Sequence, residues 1–203
     1  MSDLNKEQLT VIQELIEDVM SKAVDVLQQM LNIPLKTDSI VFGNGPLREI
    51  DDIEALGRFK VHLMKVRIKG EMNGSFFFII NRHEVDQINR VCLPDSVNNV
   101  NSSDSKMMKK GFMMEIENIV ASLSITEISE ALGTQAIGAV PETMIMPGHE
   151  VNKFLMEQNE ENNTQFYVKS VLAGKIGVDI APYFIWMLDE HFVEKIKENV
   201  VVQ

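Results

Sequence analysis

The feature that most constrains the fold is a repeated order of predicted elements. Three residues near the end of the first half recur 108 positions later, since His83, Val85 and Ile88 match His191, Val193 and Ile196. Pro141 follows Pro34 by 107 positions. An internal duplication of about 100 residues explains both spacings. The alternative is an ordinary domain of mixed helices and strands whose halves resemble each other by chance.

The first repeat is expected over about residues 5–92. Apolar residues at helical spacing predict a helix over residues 9–31, and Pro34 ends it. Alternating apolar residues and the Asn73-Gly74 turn predict a hairpin. The remaining predicted elements are a strand over 39–42, a loop over 43–46, an acidic patch over 49–54, strands over 59–68 and 75–80, and a helix over 84–92.

The second repeat is expected over about residues 107–200. A segment rich in Ser, Asn and Asp, residues 93–106, predicts a linker between the repeats. A helix over 109–132 should end at Gly133, a residue type that favours helix C-termini. The later predicted elements are strands over 143–146, 165–172 and 175–187, helices over 149–158 and from 189 onward, and turns over 159–163 and at Gly174.

These elements predict an α+β fold in one domain, residues 1–203. The strands should form an antiparallel sheet with the two long helices packed on one face. The opposite face of the sheet should then meet solvent or a partner.

Composition narrows the classes of function. The formal net charge is −11, and non-specific nucleic-acid binding depends on Lys and Arg, so a nucleic-acid partner is not expected. Membrane insertion is not expected either, because no apolar run approaches about 18 residues. A lone cysteine, Cys92, and an N-terminus without a basic segment before an apolar run indicate a reducing, cytoplasmic setting.

The second long helix carries the candidate site. An apolar stripe predicts its buried face, formed by Phe112, Ile116, Ile119, Val120 and Leu123. Glu115 and Asn118 are three residues apart and should point outward together. A carboxylate and an amide on an exposed helix face are by themselves common and usually only solvated.

The surrounding pattern resembles the CheC, CheX and FliY family of chemotaxis phosphatases. Their motif is Asp or Ser, three residues, Glu, two residues, Asn, 22 residues and Pro. Glu115, Asn118 and Pro141 fit that spacing. Two positions depart from it: Gly111 stands where the family has Asp or Ser, and Ser122-Leu123 replaces a common Gly-Asn pair.

The resemblance implies that the chain dephosphorylates the aspartyl phosphate of a phosphorylated CheY-type response regulator. Asn118 would orient the attacking water, and Glu115 would pair with a lysine of the regulator's active site. Mg²⁺ is expected on the regulator, with no cofactor on this chain. The alternative is a non-catalytic module that binds a response regulator or a flagellar switch component, and a homodimer is also possible.

The first helix is expected to lack a second site. Pairing Pro34 with Pro141 sets Gln8 opposite Glu115 and Val11 opposite Asn118, and an apolar side chain cannot orient water. Alternative alignments that place Glu14 or Asp18 at the acid position leave Glu17 or Ser21 where Asn should be. One active face per chain resembles CheX more than the two-site CheC.

Overall fold

The computed structural model of the protein describes residues 4–174 and 180–200. The helices are α1 (Lys6–Leu31), α2 (Asp51–Glu54), α3 (Arg82–Cys92), α4 (Asp95–Asn98), α5 (Ser103–Ala131), α6 (Gly148–Glu161) and α7 (Glu190–Val200). The strands are β1 (Leu35–Asn44), β2 (Lys60–Gly70), β3 (Gly74–Asn81), β4 (Ala136–Gly138), β5 (Glu142–Pro147), β6 (Phe166–Gly174) and β7 (Tyr183–Leu188).

Local hydrogen bonds set where the long helices begin. In α1, the Asn5 side chain accepts from the Gln8 backbone N–H at 2.9 Å, and the Gln8 side chain accepts from the Asn5 N–H at 2.8 Å. In α5, the Ser102 hydroxyl accepts from the Ser105 N–H at 3.1 Å. Both caps satisfy backbone donors that have no partner inside the helix.

The strands form one antiparallel sheet that confirms the predicted fold class. The order is β1-β6-β7-β3-β2-β4, and β5 also pairs with β2, beyond the end of β4. The strands that follow the long helix of each repeat therefore pair with a strand of the other repeat. Strand β1 of the first repeat pairs with β6 of the second, and β4 and β5 of the second repeat pair with β2 of the first. At the centre of the sheet, Phe77 pairs with Ile185, and these residues are 108 positions apart.

The structure changes one detail of the repeat alignment. Both long helices are followed by a residue with left-handed backbone, Asn32 with φ 51° and Gly133 with φ 60°, and these residues are 101 positions apart. The spacing in the long helices is therefore 101, which sets Pro34 opposite Gln135. The pairing of Pro34 with Pro141 was wrong, since Pro141 lies in the break between β4 and β5.

Helices cover both faces of the sheet. One core contains buried residues of α1, α3, α5 and α7 and confirms that the two long helices pack on one face. The opposite face holds a second apolar cluster, to which α6 contributes Val151 and Leu155 and α2 contributes Ile53. The expectation that this face meets solvent or a partner was wrong, because the insert between β5 and β6 folds back as α6.

Three local predictions differ from the structure. The predicted linker contains α4 and the first turn of α5, since Ser and Asp cap helices as readily as they form loops. Strand β4 was missed because it is only three residues long. The last strand begins at Tyr183, and positions 175–179 of the predicted strand lie outside the described residues.

Candidate functional site on helix α5

The two predicted site residues lie on one exposed strip of α5. Gly111, Glu115, Asn118 and Ser122 are all exposed, and spacings of three and four residues place them along one side of the helix. The prediction that Glu115 and Asn118 both face outward is met by their exposure. Their chemical roles stay predictions.

The buried face of α5 is rotated from the predicted one. Ile116 and Val120 are buried as expected, whereas Phe112, Ile119 and Leu123 are only half-buried. The buried face instead includes Glu117 and Ser124, at 1% exposure each. The predicted stripe did not include these two positions, because it was drawn from apolar residues only.

Gly111 occupies an open position on the strip. A Cβ added at this residue would meet no heavy atom within 4 Å, and its φ lies outside the left-handed region. Neither crowding nor backbone strain therefore requires glycine here. A Ser or Asp, the residues of the resembled motif, would fit without rearrangement.

Glu117 is the functional candidate that sequence reasoning missed. Its Oε2 atom is buried without a hydrogen-bond partner. Burial raises the pKa of Glu117 to about 8, because an ionised carboxylate is costly away from water. The repeat gives a signal only once the 101-residue spacing is known from the structure, because that spacing places Glu117 opposite Ile16, which is also 1% exposed.

The first helix carries acids at both positions of the pair. With the 101-residue spacing, Glu14 lies opposite Glu115 and Glu17 lies opposite Asn118. Both are exposed, and the Gln13 side chain donates to Glu17 at 2.8 Å. The assignment of Gln8 and Val11 to these positions was therefore wrong. The expectation that α1 lacks the amide still agrees with the structural alignment.

Across 4–174 and 180–200, no three or more His, Cys, Asp or Glu side chains lie where they could hold a metal ion together. Within the same ranges, none of the helices combines the length and apolarity needed to cross a membrane.

Comparisons with known proteins give the fold. No model of a known protein family matches the sequence, and no curated protein matches it. Thermotoga maritima FliY superposes with a TM-score of 0.64 at 14% identity over 100% of both chains. A chain of the FliM–SpeE complex from H. pylori gives 0.63 at 14% identity, over 97% of both. A chain of the Borrelia burgdorferi CheX–CheY–BeF3–Mg complex gives 0.54 at 16% identity, over 86% of this chain and 97% of that one.

These similarities place the chain in a structural class of duplicated α+β proteins. Within that class, its fold is that of CheX, FliY and CheC-like chemotaxis proteins. The resemblance inferred from the motif is therefore confirmed at the level of the fold. CheX, CheC-like, FliY and FliM proteins all share this architecture, so the fold by itself does not assign a function.

Proposed function

We propose that the chain is a cytoplasmic phosphatase that hydrolyses the aspartyl phosphate of a CheY-type response regulator. Glu115 anchors α5 by pairing with a lysine of the regulator, and Asn118 orients the attacking water. The observation that carries the proposal is the exposure of this acid and this amide on one strip of one helix.

The reaction requires little from this chain beyond position. Water attacks the phosphorus, the bond to the aspartyl oxygen breaks, and the products are inorganic phosphate and the free aspartate carboxylate. The Asn118 carbonyl can accept a hydrogen bond from the water and so hold it in line, while the neutral amide adds no repulsion toward the phosphoryl oxygens. The divalent metal of this reaction belongs, in the proposal, to the regulator.

Two further observations support the proposal. The spacing from Glu115 through Asn118 to Pro141 follows the family motif. A chain of the same fold occurs in a complex of CheX with CheY, which makes a CheY-type partner the first to test. The negative charge of Glu115 suits a docking contact with a basic group.

A phosphate-release assay with a phosphorylated CheY-type regulator tests the proposal. The wild type should accelerate release, and Asn118→Ala should reduce that acceleration by roughly a hundredfold or more. Ser122→Ala is the matched control, because Ser122 is exposed one turn further along the same strip. An unchanged rate in Asn118→Ala would refute the proposed role of this amide.

The second candidate function is a non-catalytic docking module. Gly111 at the Asp or Ser position of the motif favours it, as does the presence of FliM among proteins of this fold. In that case the chain would bind a regulator or a switch component, and neither wild type nor Asn118→Ala would accelerate phosphate release. Sedimentation would show whether the pure protein forms a homodimer, a result compatible with both functions.

A further inference from the structure

A cleft of about 420 Å³ lies beside the N-terminal half of α5. Its walls come from β2, α3, α5 and β5, so both repeats contribute. Its apolar lining is Val85, Met113, Met114 and Ile145, and its polar lining is His62, Arg82, Asp86, Asn89, Lys106, Lys109, Lys110, Glu117 and Thr143. The volume lies within the range of small-molecule sites in proteins, about 300–1,000 Å³.

Several residues that line the cleft carry buried polar atoms without hydrogen-bond partners. Four of its lining residues have a buried side-chain atom of this kind, namely His62 Nε2, Asn89 Oδ1, Glu117 Oε2 and Thr143 Oγ1. Glu117 is 1% exposed and Asn89 is 4% exposed. Buried polar atoms in native proteins are nearly always paired, so four unpaired atoms on the residues of one cleft mark it as a candidate binding site.

The other repeat shows that the fold does not require this polarity. Glu117 lies opposite Ile16 in α1. His62 pairs with Ile80, and Phe166 pairs with Leu188. Ile80 and Leu188 are repeat counterparts, because they are 108 positions apart. Phe166 is therefore the counterpart of His62.

The counterpart of Thr143 is also aromatic. Thr143 pairs with Met64 on β2, and Phe42 pairs with Val168 on β6. Met64 and Val168 are repeat counterparts, because they lie two residues after His62 and Phe166, so Phe42 is the counterpart of Thr143. The rings of Phe42 and Phe166 are 6.0 Å apart and help fill the equivalent space in the core. The space equivalent to the cleft is therefore filled by apolar side chains, whereas the cleft itself is open and polar.

The rim of the cleft is cationic in a protein with a net charge of −11. Lys106, Lys109 and Lys110 lie along α5, and Arg82 lies on α3 with Asp86 beside it at 3.3 Å. Lys109 donates to the Asn98 carbonyl at 3.2 Å. In the first repeat, the positions equivalent to the three lysines hold Asn5, which caps α1, and Gln8 and Leu9 within it.

We propose that this cleft binds a small phosphorylated molecule with a planar ring that bears N–H groups, a description that a purine nucleotide meets. The phosphate would contact the lysines of the rim. The ring would lie against Met113 and Met114, whose polarisable sulfurs pack well on aromatic surfaces. Its N–H groups would donate to the Asn89 side-chain carbonyl after the amide turns toward the cleft, because Oδ1 is buried and lacks a donor within the described residues.

Calorimetric titration of the whole protein with AMP and GMP tests the proposal. At least one nucleotide should bind about tenfold more tightly than adenosine, which lacks the phosphate, and than ribose 5-phosphate, which lacks the ring. Lys110→Gln should weaken nucleotide binding by about fivefold or more. Lys153→Gln is the control, because Lys153 is exposed on α6, on the other face of the sheet.

A second variant fills the cleft with the kind of side chain that fills the equivalent space in the other repeat. Thr143→Phe places at this position the side chain of its repeat counterpart, Phe42, and should abolish nucleotide binding while the thermal melt stays cooperative. No heat with either nucleotide at millimolar concentration would overturn the proposal. So would unchanged binding in both Lys110→Gln and a folded Thr143→Phe. These results do not depend on phosphatase activity.

Discussion

Glu117 and Asn118 are neighbours in the chain but lie on different sides of α5, one buried at 1% exposure and the other exposed. Successive helical residues differ in direction by about 100°, so one turn can hold an acid against the sheet and present an amide to a partner. The buried acid belongs to the cleft, and the amide belongs to the exposed strip. Substitutions at these two positions should therefore have separable effects.

Glu117→Gln is expected to make the protein more stable at about pH 8 than the wild type. Burial raises the pKa of Glu117 to about 8, above the ordinary value of 4.5 expected in the unfolded chain. Between these values the folded state keeps a proton that the unfolded state has lost, so the free energy of unfolding falls as pH rises. Gln cannot titrate, and the gap between variant and wild type should grow by on the order of 3 kcal/mol across this window.

Urea unfolding at about pH 5 and about pH 8 measures this difference. The groups that line the cleft with Glu117 are Lys106, Lys109, Lys110, Arg82, Asp86 and His62, all of which Glu117→Gln retains. Glu130→Gln, on the exposed side of the same helix, is the control and should follow the wild type. Parallel pH dependences for Glu117→Gln and wild type would contradict the raised pKa.

Much of the fold could be predicted because it depends on local periodicity. The long helices, the β2–β3 hairpin and the recurrence at 108 positions are all visible in the sequence. The coverage of the second face could not be predicted, since it depends on where the insert containing α6 folds back. The spacing of 101 in the helices was hidden because Pro34 and Pro141 suggested a different one, and the left-handed residues that follow the two helices were needed to find it.

The exposed strip could be predicted from spacing alone, but the cleft could not. Glu115 and Asn118 lie on one helix, where a three-residue interval fixes their relative direction. The cleft requires side chains from four elements separated by many residues. His62 and Asn89 look unremarkable in the sequence, and only the tertiary structure shows that both line one cleft and carry buried atoms without partners.

Glu115→Lys is expected to weaken binding of a CheY-type regulator by roughly tenfold or more, because it sets a positive charge against the regulator's lysine. Glu130→Lys makes the same charge change at an exposed position further along α5 and should bind nearly as the wild type does. Titration calorimetry with the purified regulator measures both affinities. Equal affinities for the two variants would show that Glu115 does not anchor the helix.

Gly111→Ser is expected to raise the rate of regulator dephosphorylation by roughly two- to tenfold, a change of about 0.4–1.4 kcal/mol in the barrier. The position is open, so the hydroxyl can be added without a clash. Gly111→Ala is the control, since either substitution should stabilise an exposed helix by about 0.5–1 kcal/mol. If the rates of both variants rise equally, helix stability and not the hydroxyl would be the cause.

Glu17→Asn is expected to create a second acid–amide pair, because Glu17 is the repeat counterpart of Asn118 and Glu14 is the counterpart of Glu115. Both residues of α1 are exposed, so a partner could reach them. Added to Asn118→Ala, this change should restore phosphate release to about one tenth of the wild-type rate, a deficit of about 1.4 kcal/mol in the barrier.

The matched control for this variant is Asp25→Asn in the same Asn118→Ala background. Asp25 is exposed on the same strip of α1, the change removes the same charge, and the residue three positions earlier is Lys22 and not an acid. Asp25→Asn should therefore restore nothing. If Glu17→Asn behaved the same way, an acid and an amide at this spacing would be insufficient, and catalysis would require the surroundings that only α5 provides.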